Sequence, residues 1–251
     1  MIHGIDRFRD FRHHQDQYVL IGGSACDLLF SEIGESFRVT KDLDMVLLIE
    51  NLTAEFGETF WAFINAGGYR YRQGNSDVPQ YYRFEKPMNR DFPHMIELFT
   101  RHAAPSDARS RRMPIFIDNH VASLSAILLS DGYYELLCCE KRIVSDLVIL
   151  KPEILIVLKA KAFLDLAPRG TRGEAGLGAE AKKHLKDIVR LTALLSGQER
   201  VELPDFVLND LLRCRAYYLA HPYNPMQLNL PRQAADMVGI LDAVFQLPAP
   251  D

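Results

Sequence analysis

The chain of 251 residues has no apolar run approaching the ~18 to 20 residues that a membrane-crossing helix needs. Its opening, MIHGIDRFRDFRHHQDQ, lacks the apolar core of a signal peptide. Both absences lead to the expectation of a soluble, cytoplasmic protein with no membrane partner. Cysteine is also scarce. Cys26, Cys138, Cys139 and Cys214 show neither zinc-type spacing nor a regular disulfide framework, because an adjacent pair does not easily bridge itself and the other two stand alone. That excludes a disulfide-stapled scaffold and fits a reducing compartment. Nor is there a basic excess: 29 Lys and Arg against 33 Asp and Glu leave a formal charge of -4, which excludes a protein whose main business is coating nucleic acid. Two local basic stretches, Arg101 to Arg112 and Arg169 to Lys186, read as solvated loop and helix surface. No internal repeat or low-complexity tract is present.

What the chain does have is 48% hydrophobic residues, enough for one sizeable core or two modest ones. YVLIGG reads as a buried strand running into a glycine turn. The spacing of Ala25, Leu28, Leu29 and Ile33 predicts a helix ended at Gly34. DMVLLIE is a second strand, apolar enough to be covered on both faces, and Phe56, Phe60, Phe63 and Ile64 stripe a second helix that AGGY ends. YRYRQ, QYYRFEKP and HMIELFTR then read as short strands, and PIFIDN and YYELLCC as further strands around a small helix, VASLSAILLS. Pro152 opens a helical tail, interrupted by a loop over PRGTRGEAGLG and resumed by AEAKKHLKDIVRLTALLSG. The expectation is an α+β fold, a mixed sheet flanked by helices over residues 1–150, followed by a mostly helical region over 151–251.

The chemistry concentrates near one strand start. Asp42 and Asp44 are two residues apart, so the period-2 geometry of a strand points both carboxylates to one face, roughly 6 to 7 Å apart at the backbone. Two like charges there need a positive partner, and a divalent cation with oxygen ligands is the usual one where phosphates are handled. Gly22, Gly23 and Ser24 supply the complement: a glycine turn opening a helix offers backbone N–H groups and a hydroxyl to an anion. Glu97, set among Ile96, Leu98 and Phe99, is a candidate third acid or else a solvent-facing residue of an alternating edge strand.

This ordered set resembles the nucleotidyltransferase superfamily related to DNA polymerase β, whose signature is a Gly-Gly or Gly-Ser turn, a helix, Asp-x-Asp or Asp-x-Glu, and a later acid. The likeness is greatest to AbiEii/AbiGii toxin-like bacterial nucleotidyltransferases, which it resembles also in a lysine helix after a Pro-Glu start and a KDxxxL-like helix. The resemblance implies a metal-dependent enzyme that moves an NMP from an NTP to a hydroxyl on RNA (tRNA included), protein or a small molecule. It implies Mg²⁺ or Mn²⁺ ions held by Asp42, Asp44 and Glu97, with the triphosphate on Gly22, Gly23, Ser24 and Lys41. A lysine, Lys159 or Lys161, and Asp187 complete the implied set. These lysines lie about 200° apart on a helix, so only one can easily point into a site; the family spacing favours Lys159, and the competing reading of either is a snorkelling surface residue. A toxin role would bring a cognate antitoxin as partner.

Two other classes compete. A non-enzymatic nucleotide- or partner-binding module could keep the fold, although three retained acids speak against it. A sugar transferase could use Asp-x-Asp for a metal-bound nucleotide-sugar, but that class typically lacks a glycine turn one helix upstream. His184 with Asp187 reads as a solvated i, i+3 pair, His13-His14 has no partner at metal spacing, and Tyr69, Tyr71, Tyr81 and Tyr82 read as strand packing before base stacking.

Overall fold

The computed structural model describes residues 3–38, 40–48, 50–71, 83–100, 131–222, 228, 230 and 234–249. PIFIDN, VASLSAILLS, Tyr81, Tyr82 and the basic stretch 101–112 lie outside them. The chain divides into two compact units, Met1–Leu150 and Lys151–Asp251.

The first unit opens with a short helix α1 (Ile5–Phe8) and a 3₁₀ turn (Arg9–His14). Strand β1 (Tyr18–Ile21) then feeds helix α2 (Gly22–Glu32), and β2 (Asp42–Leu47) returns antiparallel beside β1. Helix α3 (Ala54–Gly67) starts where Thr53 Oγ1 accepts from the Phe56 N–H, and stops at Gly68, whose φ of 63° puts it in the left-handed region. Strands β3 (Arg70–Tyr71), β4 (Arg83–Glu85) and β5 (Met95–Thr100) follow. Helix α4 (Asp131–Cys139) precedes a hairpin of β6 (Lys141–Val144) and β7 (Leu147–Leu150). Its two turn residues, Ser145 and Asp146, both have positive φ, as a tight hairpin of the primed type requires.

Among the described residues the strands form one mixed sheet in the order β3-β4-β5-β2-β1-β7-β6. Parallel pairing of β1 with β7 and of β2 with β5 places β2 and β1 at the centre, where Tyr18 to Ile21 and Met45 to Leu48 are buried. Phe8, Phe11, Tyr18, Phe56, Phe60 and Phe63 pack edge-to-face and stacked against one another on one side. Such ring pairs add roughly 0.5 to 1.5 kcal/mol each beyond the area they bury.

Helices α5 (Pro152–Thr171), α6 (Leu177–Thr192), α7 (Asp205–Ala220) and α8 (Ala234–Phe245) make the second unit. Leu185, Ile188 and Val189 of α6 meet Leu211 and Cys214 of α7 and Met237, Val238 and Leu241 of α8 around one apolar pocket. The fold is thus α+β, as the sequence predicts, and three local expectations need correcting. YYELLCC is helical, with Tyr133, Tyr134 and Leu137 buried at i, i+1 and i+4. The interruption of the tail is shorter than PRGTRGEAGLG, because α5 runs through Pro168 to Thr171 and α6 starts at Leu177. A Cβ on Gly170 would lie 2.6 Å from the Cα of Gly178, so that glycine serves a close backbone approach between α5 and α6. Third, β6 and β7 add two strands that the sequence pattern leaves unassigned.

Candidate active site

The site begins at the junction of β1 and α2. Ile21, the last residue of β1, stands opposite Asp44 in the antiparallel register. Gly22 follows with φ 65°, and a Cβ there would lie 1.9 Å from Asp44 Oδ2 and 2.9 Å from its Cγ. Only glycine lets that carboxylate rest directly on the turn. A Cβ on Gly23 would meet Thr40 Oγ1 at 2.6 Å and Arg38 Nη2 at 3.4 Å, so the residues leading into β2 fold down over the same turn. Asp44 finds positive potential locally, at the amino end of α2, where the helix dipole favours an anion, and Arg38 Nη2 lies over the neighbouring Gly23.

Ser24 is buried, and its hydroxyl donates to the Ile21 carbonyl at 2.8 Å, which secures the strand-to-helix junction. Lys41 is exposed at the residue before β2. Asp42 and Asp44 are half-buried while Leu43 and Met45 are fully buried, the alternation that a strand start predicts.

Parallel register pairs Asp44 with Glu97, and antiparallel register pairs Glu97 with Arg83. Asp42, Asp44, Glu97 and Arg83 consequently share one face of the sheet across β2, β5 and β4. The Glu97 carboxylate is engaged within that row: Arg83 Nε donates to Oε1 at 2.6 Å and Nη2 lies 2.5 Å from the same oxygen. Among the described residues no three His, Cys, Asp or Glu side chains are disposed together to hold a metal ion.

In the second unit, Lys159 and Asp187 come together. The Lys159 ammonium donates to Asp187 Oδ2 at 2.9 Å, both side chains are buried, and Asp187 is wholly so. Lys161 belongs to a different pair, with Asp165 at 2.8 Å and Asp210 at 3.8 Å. The surface reading of Lys159 and the solvated reading of Asp187 with His184 both give way to a buried ion pair joining α5 to α6. His14 is buried against Gln17 in the 3₁₀ turn of the first unit, and Tyr69 packs among Phe63 and Phe92 with its hydroxyl donating to the Pro93 carbonyl.

No family model matches the chain, and no curated protein matches it. Among solved structures, the chain resembles over nearly its full length an antigenic nucleotidyltransferase-like protein from Paracoccidioides brasiliensis, with a TM-score of 0.50 and 14% identity, covering 94% of this chain and 91% of that one. The fold is nucleotidyltransferase-like. Two residues near the acids are passed over by local sequence reading, Arg83 in the row on β4 and Arg38 ahead of β2. Arg83 belongs to QYYRFEKP, whose period-2 alternation marks a strand but not which acid lies opposite. Arg38 precedes the strand, and only its approach to Gly23 reveals its place.

Proposed function

We propose that this protein transfers a nucleoside monophosphate from a nucleoside triphosphate to a hydroxyl acceptor on RNA, protein or a small molecule, using Mg²⁺ or Mn²⁺. The observation that carries the proposal is the Asp44 carboxylate resting against Gly22, where any side chain would displace it. It supports the reading because a glycine turn and an Asp-x-Asp strand are built against each other, one offering backbone N–H groups and the other hard oxygen donors. Asp42 and Asp44 would hold the cation. A bound divalent ion supplies Lewis acidity to phosphoryl oxygens and to the acceptor hydroxyl. Backbone N–H groups at the amino end of α2 would meet a phosphate, and Arg38 adds a charge suited to phosphate. In the transfer the acceptor oxygen bonds to the α-phosphorus, the α–β anhydride breaks, pyrophosphate leaves, and the hydroxyl proton passes to solvent.

Within this class a toxin role, with a cognate antitoxin and a cytoplasmic site of action, is the finer form of the proposal; induced expression that leaves growth unchanged would remove it. The enzyme assignment itself is tested by incubating the protein with α-labelled NTPs, Mg²⁺ and cell extract. We expect label on an acceptor, reduced at least a hundredfold in Asp44→Ala; equal labelling by that variant overturns the assignment. A second reading, a binding module without turnover, is favoured by the engagement of Glu97 with Arg83. Calorimetry would then show NTP binding indifferent to Mg²⁺, with no labelled product.

A further inference from the structure

The resemblance to known nucleotidyltransferases implies cations held jointly by Asp42, Asp44 and Glu97, and the third position of that row is where this chain departs. Glu97 and Arg83 stand opposite each other on neighbouring strands, and both Nε and Nη2 of Arg83 converge on Oε1 of Glu97. The Glu97 side chain is 17% exposed while that of Arg83 is 43% exposed, so the carboxylate is the shielded member and the guanidinium faces water. Both contacts are charge-assisted and fall on the one oxygen Oε1, and arginine keeps its proton at any ordinary pH. A second dication coordinated by Glu97 would have to share its carboxylate with a fixed positive charge.

We propose that Arg83 stands where a second cation would otherwise be held: it neutralises Glu97, and the site takes one divalent cation, on Asp42 and Asp44. Glu97 is then a positioning residue for Arg83 and not a metal ligand. The proposal rests on the nucleotidyltransferase reading for the existence of the first cation. Arg83 thereby cancels the third negative charge of the row beside Asp44 without needing a second ion.

Binding of Mn²⁺ to the full-length protein, followed by the loss of the free-ion electron paramagnetic resonance signal, tests this without any turnover. The wild type should bind one Mn²⁺ per chain. Glu97→Gln retains an oxygen that accepts from Arg83, and it should leave that count unchanged and the affinity within about fivefold. Two ions in the wild type, or a loss of an ion or of more than fivefold in affinity in Glu97→Gln, makes Glu97 a ligand and overturns the proposal. Arg83→Gln should bind a second Mn²⁺ that the further change Glu97→Gln abolishes, whereas Arg83→Lys should remain at one. A folded Arg83→Gln, judged by circular dichroism, that still binds one ion removes Arg83 as the excluding group. If that variant does not fold, the wild-type and Glu97→Gln arms decide. Failure of the underlying reading looks different: the wild type binds no Mn²⁺, or Asp44→Asn binds it unchanged.

Discussion

Single glycines and carboxylates set the site at the residue scale. Gly22 carries two separable costs of substitution, a left-handed backbone at φ 65° and a Cβ within 1.9 Å of Asp44 Oδ2. The first costs roughly 1 to 2 kcal/mol for a non-glycine residue and the second roughly 1 to 3 kcal/mol of overpacking. Gly22→Ala should therefore lose about 2 to 5 kcal/mol of stability in urea unfolding. Gly34 is the matched control, with φ 74° and no atom near its missing Cβ, so Gly34→Ala should lose about 1 to 2 kcal/mol from the backbone alone. Placing Gly22→Ala in an Asp44→Ala background should recover the overpacking share. A Gly22→Ala cost equal to that of Gly34→Ala, with no coupling to Asp44, would show that the carboxylate does not rest on the turn.

Helices and strands obey a different logic, because what they need from each other is not written locally. Lys159 and Asp187 join α5 and α6 through a buried ion pair at 2.9 Å. Removing one member of such a pair leaves the other charge poorly compensated in a poor solvent, Arg190 Nη1 standing 4.0 Å from Asp187 Oδ1, which costs roughly 3 to 5 kcal/mol, whereas replacing both by apolar groups is often nearly neutral. Lys159→Met should lose about 3 to 5 kcal/mol in urea unfolding, and Lys159→Met with Asp187→Leu should regain most of it. A double variant no better than the single would argue against the pair. The same distinction governs what was legible in the sequence. β1, α2, β2 and α3 read correctly because each declares itself within its own span, through apolar runs, a 3.6 period and a terminal glycine. YYELLCC misleads, since a run of this length does not separate a strand from a short helix. Asp42 and Asp44 show their common face by spacing alone. The placing of Glu97 opposite Asp44, and of Arg83 opposite Glu97, is a matter of register between distant strands, which no local pattern contains.

Across the whole molecule, weak acids buried in both units couple folding to alkaline pH. Tyr18 and Tyr69 in the first unit lie in apolar surroundings that push their phenols well above the ordinary value of 10.0, because burial penalises the phenolate. Burial likewise pushes the Cys214 thiol of the second unit from an ordinary 9.0 up to about 12. Each group holds its proton in the folded chain at pH values where the unfolded chain has released it. The folded state therefore binds more protons than the unfolded state above pH 9 to 10, and stability must fall as pH rises there. The contribution is fully present below the ordinary values and is lost progressively above them, through about pH 12 for Cys214 and further for the two phenols. Each group adds a slope of about 1.4 kcal/mol per pH unit once its unfolded form is ionised. Urea unfolding between pH 8 and 11 should accordingly show stability nearly level up to pH 9 and declining beyond. Tyr18→Phe, which removes one titrating group while keeping the ring in its aromatic cluster, should flatten the decline between pH 10 and 11 by about 1 kcal/mol per pH unit. A decline of unchanged slope in that variant would mean that the Tyr18 phenol ionises as readily folded as unfolded, and that the wall of rings around it admits water.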